Sequence, residues 1–140
     1  MQTLPAGLTA PVDTVMSRRL VLVLEAIPMA EVRKIAAQYD YNGFPVVAQD
    51  GHLVGMVTKG DLLRTARAAM TDPDAWAQPV SRWMAHGVLA LRPADTIAVA
   101  VEHLADSGFR SLPVIDEWRR VIGIVSRNDL MAAIARERRA

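Results

Sequence analysis

Residues Gly55–Leu63 read GMVTKGDLL, and sixty-eight positions later Gly123–Met131 read GIVSRNDLM. The same offset carries Pro11-Val12 onto Pro79-Val80, Met16 onto Met84 and Pro45-Val46 onto Pro113-Val114, with no gap. Conservative pairs such as Val47/Ile115, Val54/Ile122, Thr58/Ser126 and Lys59/Arg127 fill much of the remaining window. A duplication this regular in a chain of 140 residues restricts the fold to two copies of one supersecondary unit. A single copy, roughly sixty residues long, has only a marginal core, whereas two copies together bury enough apolar surface to fold without staples. The duplication sets the organisation: an N-terminal arm at 1–10, repeat 1 at 11–70, a linker at 71–78 and repeat 2 at 79–138.

Each copy predicts the order β-α-β-β-α. The runs LVLVL at 20–24 and VLAL at 88–91 are apolar at successive positions, as expected of strands buried on both faces. A helix follows. In repeat 2, Asp95 is the expected N-cap, Ile97, Ala100, Val101 and Leu104 form the apolar stripe, and Gly108 is the stop. In repeat 1, Pro28 stands near the first turn, with Met29, Val32, Ala36 and Tyr39 on the stripe. Two strands come next, joined by a hairpin: Asp50-Gly51 supplies a strong turn signal in repeat 1, and EWRR supplies a turn without glycine in repeat 2. Pro45 and Pro113 suit a strand start or an edge. The last helices open at Thr58 and Ser126, with Leu62, Ala66 and Met70 facing inward in one and Leu130, Ala133 and Ile134 in the other. TDPDAWAQ at 71–78 lacks periodicity and reads as a loop, with Trp76 anchoring it.

Charge and composition narrow the function. A net charge of +1 gives no electrostatic footprint for nucleic acid. Cysteine is absent, which excludes disulfides, thiolate metal sites and cysteine nucleophiles. His52, His86 and His103 lie far apart without ligand spacing, and no catalytic constellation or Walker-type loop is present. The start has no signal-peptide pattern and no apolar run is long enough to span a bilayer, so the expectation is a soluble, cytoplasmic protein outside the membrane.

The repeated hydroxyl-x-x-Asp supports two compatible readings. As structure, it is a capping-box variant, with Thr58 or Ser126 capping a helix and Asp61 or Asp129 favoured by its dipole. As chemistry, it sets free N–H groups, a hydroxyl and a cation (Lys59 or Arg127) beside a carboxylate able to accept from a ribose diol, a place for an anionic nucleotide. Gly55 and Gly123, lacking side chains, would let a flat ring approach the strand.

Taken in order, PVDTVM and PVSRWM, FPVV and LPVI, and GMVTKGDLL and GIVSRNDLM resemble the CBS domain, named for cystathionine β-synthase, and the pair resembles a Bateman module. The resemblance covers residues 11 to about 136. It implies an α+β fold in which two β-α-β-β-α CBS repeats pack through their sheets with pseudo-twofold symmetry. It implies no enzyme and no required cofactor, but a regulatory module that binds an adenosine-containing nucleotide (AMP, ADP or ATP-like) in the cleft between repeats. It also implies a homodimer and signalling to a protein partner in trans. By position, Asp61 and Asp129 would hold ribose hydroxyls, Thr58 and Ser126 would contact ribose or phosphate, and Lys59, Arg127 and Arg110 would neutralise phosphate. Val21, Leu22, Leu89 and Ala90 would wall the base, with Pro45, Val46, Pro113 and Val114 opposite. Two departures stand out: Asn42 replaces the basic partner of Arg110, and the first strands carry no hydroxyl. The Ser126/Asp129 copy, with two arginines, is expected to bind phosphate better. The rival reading is an interaction module that dimerises without ligand.

Overall fold

The computed structural model describes residues 6–136. The chain forms two compact units, Val21–Val88 and a second built from residues up to Leu20 together with those from Leu89 onward. The fold is α+β, and both units use one topology.

In the Val21–Val88 unit a four-stranded sheet runs in the order β1 (Val23–Leu24), β2 (Gly43–Val47), β3 (Leu53–Thr58), β4 (Ala85–His86). β1 is parallel to β2, and the other neighbours are antiparallel. Helices α1 (Met29–Gln38) and α2 (Lys59–Ala69) accompany it, with the short α3 (Val80–Trp83) preceding β4. The core is Val23, Met29, Val32, Phe44, Val46, Val57, Val80 and Met84, so the buried face of α1 is Met29 and Val32.

The other unit holds α4 (Ile97–Ala105), β5 (Ser111–Ile115), β6 (Val121–Ser126) and α5 (Arg127–Arg136). β5 and β6 pair antiparallel. Single bridges flank them, Leu91 parallel to Val114 and Ser17 antiparallel to Ile124, in the places that β1 and β4 hold in the first unit. The core is Val12, Met16, Leu91, Ile97, Ala100, Leu104, Leu112, Val114, Val125, Leu130 and Ala133.

The sequence repeats and the spatial units therefore differ at their leading segments. Pro11–Ser17 opens repeat 1 in sequence but packs with the strands and helices of repeat 2: the Val12 amide donates to the Asp95 carbonyl (2.7 Å) and the Ser17 amide to the Ile124 carbonyl (2.8 Å). Pro79–Met84 likewise packs with repeat 1, where the Val80 amide donates to the Ile27 carbonyl (2.9 Å). Thr96 and Pro28, which bridge Pro11 and Pro79 respectively, occupy equivalent places.

Several local expectations are corrected. The apolar runs 20–24 and 88–91 do not form doubly buried strands: only Val23–Leu24 is a strand, Leu91 makes a lone bridge, and Leu22, Leu24 and Leu89 are 39%, 47% and 48% exposed. Their apolar character reflects single inward residues, Val23 and Leu91, each joined to the next strand of its sheet. Pro45 lies in a central strand rather than at an edge, which is tolerated because β1 pairs only from Val46 onward and asks no amide of Pro45. The cap of α4 is Thr96, whose Oγ1 accepts from the Val99 amide (3.2 Å), while the Asp95 carboxylate turns to the Arg92 amide (2.8 Å). α4 stops at Ala105, before Gly108. Tyr39 has left the helix at the C-cap of α1, and Met70 and Ile134 face outward; the fully buried residues of α2 are Asp61 and Thr65. Within 71–78, Pro73–Ala77 is a 3₁₀ turn capped by Asp72, with Ala75 buried and Trp76 under the Arg33 guanidinium at 4.3 Å. Proline at the first turn supplies the helical φ that periodicity could not reveal.

Candidate functional site

Both hydroxyl-x-x-Asp stretches are capping boxes at a strand-to-helix junction. In the Val21–Val88 unit the Thr58 amide donates to Asp61 Oδ2 (2.8 Å) and the Asp61 amide to Thr58 Oγ1 (3.3 Å). In the other unit the Ser126 amide donates to Asp129 Oδ2 (2.8 Å) and the Asp129 amide to Ser126 Oγ (3.1 Å). The structural reading of the motif thus holds in both copies, and the box fixes each carboxylate beside the first turn of its helix.

Around the boxes the copies diverge. Asp61 is 4% exposed, and both of its carboxylate oxygens accept hydrogen bonds. Its Oδ2 also accepts from Thr58 Oγ1 (3.2 Å), and its Oδ1 accepts from the Arg64 guanidinium. Arg64 reaches on to the Trp83 carbonyl (3.3 Å), and Thr65 Oγ1 donates to the Asp61 carbonyl (2.8 Å). Lys59 pairs with Asp40 at 3.4 Å. Lys59 and Arg64 each face a carboxylate.

The Ser126/Asp129 copy lacks both of those partners. At the sequence offset, Arg64 corresponds to Ala132 and Asp40 to Gly108. Asp129 is half-buried, and its Oδ1 accepts no hydrogen bond among the described residues. Arg127 donates to the Ser107 carbonyl (3.2 Å), which leaves its charge unneutralised, and its amide donates to the Arg110 carbonyl (2.9 Å). That last bond draws the two arginines to one end of the β5–β6 pair, and the Arg110 side chain is exposed, without an ion pair among the described residues. This end of the unit thus carries a carboxylate oxygen and a hydroxyl at the start of α5, and two arginines without an ion pair among the described residues. Such a set can accept from a diol and attract a phosphate.

The residues expected to wall a base differ in exposure. Val46 and Val114 are core residues with no exposed surface, and Pro45 and Pro113 are buried in their strands. Leu22 and Leu89 are exposed, while Val21 and Ala90 are half-buried. Gly55 and Gly123 do not leave room for a flat ring: a Cβ on Gly55 would meet the Ala85 carbonyl oxygen at 2.5 Å and Met84 Sδ at 2.8 Å. A Cβ on Gly123 would lie 2.8 Å from Met16 Cγ and closer still to its sulfur. The glycines exist to seat the methionines of PVDTVM and PVSRWM. Sequence reasoning passed over Arg64, although an Asp and an Arg three apart on a helix is a recognisable pairing signal.

Among the described residues no cluster of three or more histidine or acidic side chains could hold a metal ion, and no helix is long and apolar enough to cross a membrane.

Comparison with known proteins settles the class. The CBS domain model matches twice, over residues 12–68 and 80–136. The chain belongs to the CBS domain family, as a pair of repeats. Among curated proteins, it is 29% identical over 123 residues to a homoserine O-acetyltransferase of Methanohalobium evestigatum, covering 88% of this chain and 24% of that enzyme. The chain thus spans about a quarter of the length of that relative. Among solved structures, CBSX2 in complex with AMP superposes with a TM-score of 0.81 at 25% identity, covering 93% of this chain and 99% of that one. CBSX2 from Arabidopsis thaliana, described as a CBS-pair protein, superposes with a TM-score of 0.80 at 24% identity, covering 94% and 99%.

Proposed function

We propose that this chain is a non-catalytic regulatory module that binds an adenosine-containing nucleotide, of the AMP, ADP or ATP type, at its hydroxyl-x-x-Asp helix starts. The observation that carries the reading is the Ser126/Asp129 copy: an Asp129 Oδ1 that accepts no hydrogen bond among the described residues, at the start of the helix that Arg127 opens, with Arg127 bound through its backbone to Arg110 and neither arginine in an ion pair among those residues. Asp129 accepts from the ribose hydroxyls, Ser126 and the first amides of α5 meet ribose or phosphate, and the two arginines neutralise the phosphate. Leu89 and Ala90 border the base. The AMP complex of CBSX2 supports the ligand class.

Binding regulates by population shift: a ligand that prefers one arrangement of the repeats, or of a homodimer, stabilises it by its differential affinity. The output passes to a partner protein in a cytoplasmic setting. The rival reading, an interaction module without ligand, draws support from the first strands, which carry no hydroxyl, and from the paired Thr58/Asp61 copy.

Thermal unfolding with and without AMP tests the reading. At one hundred times its dissociation constant, a ligand adds about 2.7 kcal/mol. The expected result is a rise in Tm for wild type that disappears in Asp129→Ala. A Tm indifferent to AMP, ADP and ATP selects the interaction module.

A further inference from the structure

We propose that Arg64 is a built-in occupant of the Thr58/Asp61 copy, which closes it to nucleotide and leaves one binding site per chain. The inference rests on the nucleotide reading above. A ribose can use Asp61 only by taking Oδ1, because Oδ2 is committed to the Thr58 amide and hydroxyl inside the capping box. Oδ1 is held by Arg64, one helical turn away on α2. The same Nη2 that reaches Asp61 also donates to the Trp83 carbonyl (3.3 Å), a second acceptor that favours this placement of the guanidinium. Charge completes the closure. Arg64 is paired with Asp61 and Lys59 with the exposed Asp40, so each of these two cations already has a carboxylate partner when a phosphate arrives. The Asp61 carboxylate is buried, and a ligand would have to replace a charged donor with neutral hydroxyls, an unfavourable exchange for a desolvated anion. The sequence offset isolates the cause: the repeat-2 equivalents of Arg64 and Asp40 are Ala132 and Gly108, and there the carboxylate and cations are open.

Isothermal titration of the full chain with AMP reads the number of sites. Wild type is expected to bind one equivalent, lost in Asp129→Asn and kept in Asp61→Asn. Arg64→Ala and Arg64→Gln, which free Oδ1, are expected to gain a second equivalent that is lost again when Asp61→Asn is added. One equivalent persisting in both Arg64 variants overturns the proposal and leaves the nucleotide reading intact. Two equivalents in wild type, or binding lost in Asp61→Asn alone, also overturns it. Absence of binding in wild type and variants alike overturns both readings. A readout free of nucleotide accompanies the titration. The Tm changes of Asp61→Asn and Arg64→Ala are expected to fall short of additivity in the double variant, and strict additivity means that the Asp61–Arg64 pair does not form, which overturns the proposal.

Discussion

Substituting Gly123 with alanine probes which leading segment packs on which pair of strands. The added Cβ would lie 2.8 Å from Met16 Cγ and 3.2 Å from Cε, with the sulfur nearer still, whereas ordinary contact begins at 3.4 Å. Met16 must withdraw by about 1 Å. It is a flexible side chain at the margin of its core, 9% exposed, so the cost falls in the lower part of the overpacking range, about 1–2 kcal/mol. Met16→Ala alone removes a buried thioether and costs about 2–3 kcal/mol. Combined, the two changes should not add. The new methyl enters space that the methionine has vacated, and the pair should be better than additive by about 1–2 kcal/mol. Met84→Ala should give no such relief, because Met84 covers Gly55 in the other unit. Urea unfolding, followed by tryptophan fluorescence and far-ultraviolet dichroism with the slopes compared, measures every corner of the cycle. If each leading segment packed within its own sequence repeat, Met84→Ala would rescue Gly123→Ala and Met16→Ala would not. That pattern, or additivity in both combinations, refutes the exchanged packing. Gly55→Ala is expected to be costlier and only partly relieved by Met84→Ala, since its Cβ also meets the Ala85 carbonyl oxygen at 2.5 Å, and backbone yields less readily than a side chain.

Three further outcomes follow. Gly51 has φ +94° with open space around a Cβ, so Gly51→Ala should cost about 1 kcal/mol through backbone strain alone, and an unchanged denaturation midpoint would contradict it. Thr96→Ala removes the cap of α4 and should cost about 1 kcal/mol by the same assay, and an unchanged midpoint would contradict it. The Asp50 carboxyl is held below its ordinary value of 3.8, first by the His52 backbone amide at 3.1 Å and then by the His52 ring. Its contribution to stability is therefore complete above the ordinary carboxylate value and is lost as pH falls through the depressed one. His52→Ala keeps the amide and loses the ring, so the Asp50 midpoint in an NMR titration should move partway back up; a midpoint that stays put removes the ring as a cause.

The repeat made most of the architecture legible. Offset, helix order and hairpins all follow from residues such as Asp61/Asp129 and Pro45/Pro113, because a duplication shows twice whatever the local pattern shows once. Gly51 and Arg119 illustrate the reach and the edge of that logic. They occupy the same place in their hairpins, and both take positive φ (94° and 63°), although only glycine announces it. What lay beyond the sequence was long-range pairing. Nothing in PVDTVM says that Met16 seats against Gly123 and not Gly55, since both glycines follow the same offset. The first strands misled because apolar runs do not reveal how many partner strands exist to cover them, and Leu22 and Leu89 remained exposed. At the site, the capping boxes could be read from spacing alone, and Arg64 could have been read as an i, i+3 partner of Asp61, whereas Asp40, nineteen residues from Lys59, becomes its neighbour only on folding.

On the proposed function, nucleotide is held at the Ser126/Asp129 end of the chain. An amide-resolved NMR titration with AMP locates it. The amides of Arg110 and Ser126–Asp129 are expected to shift together and saturate on one binding curve, while Thr58–Asp61 stay near their starting positions. Shifts centred on Thr58–Asp61, or a spectrum that AMP leaves unchanged, would contradict it.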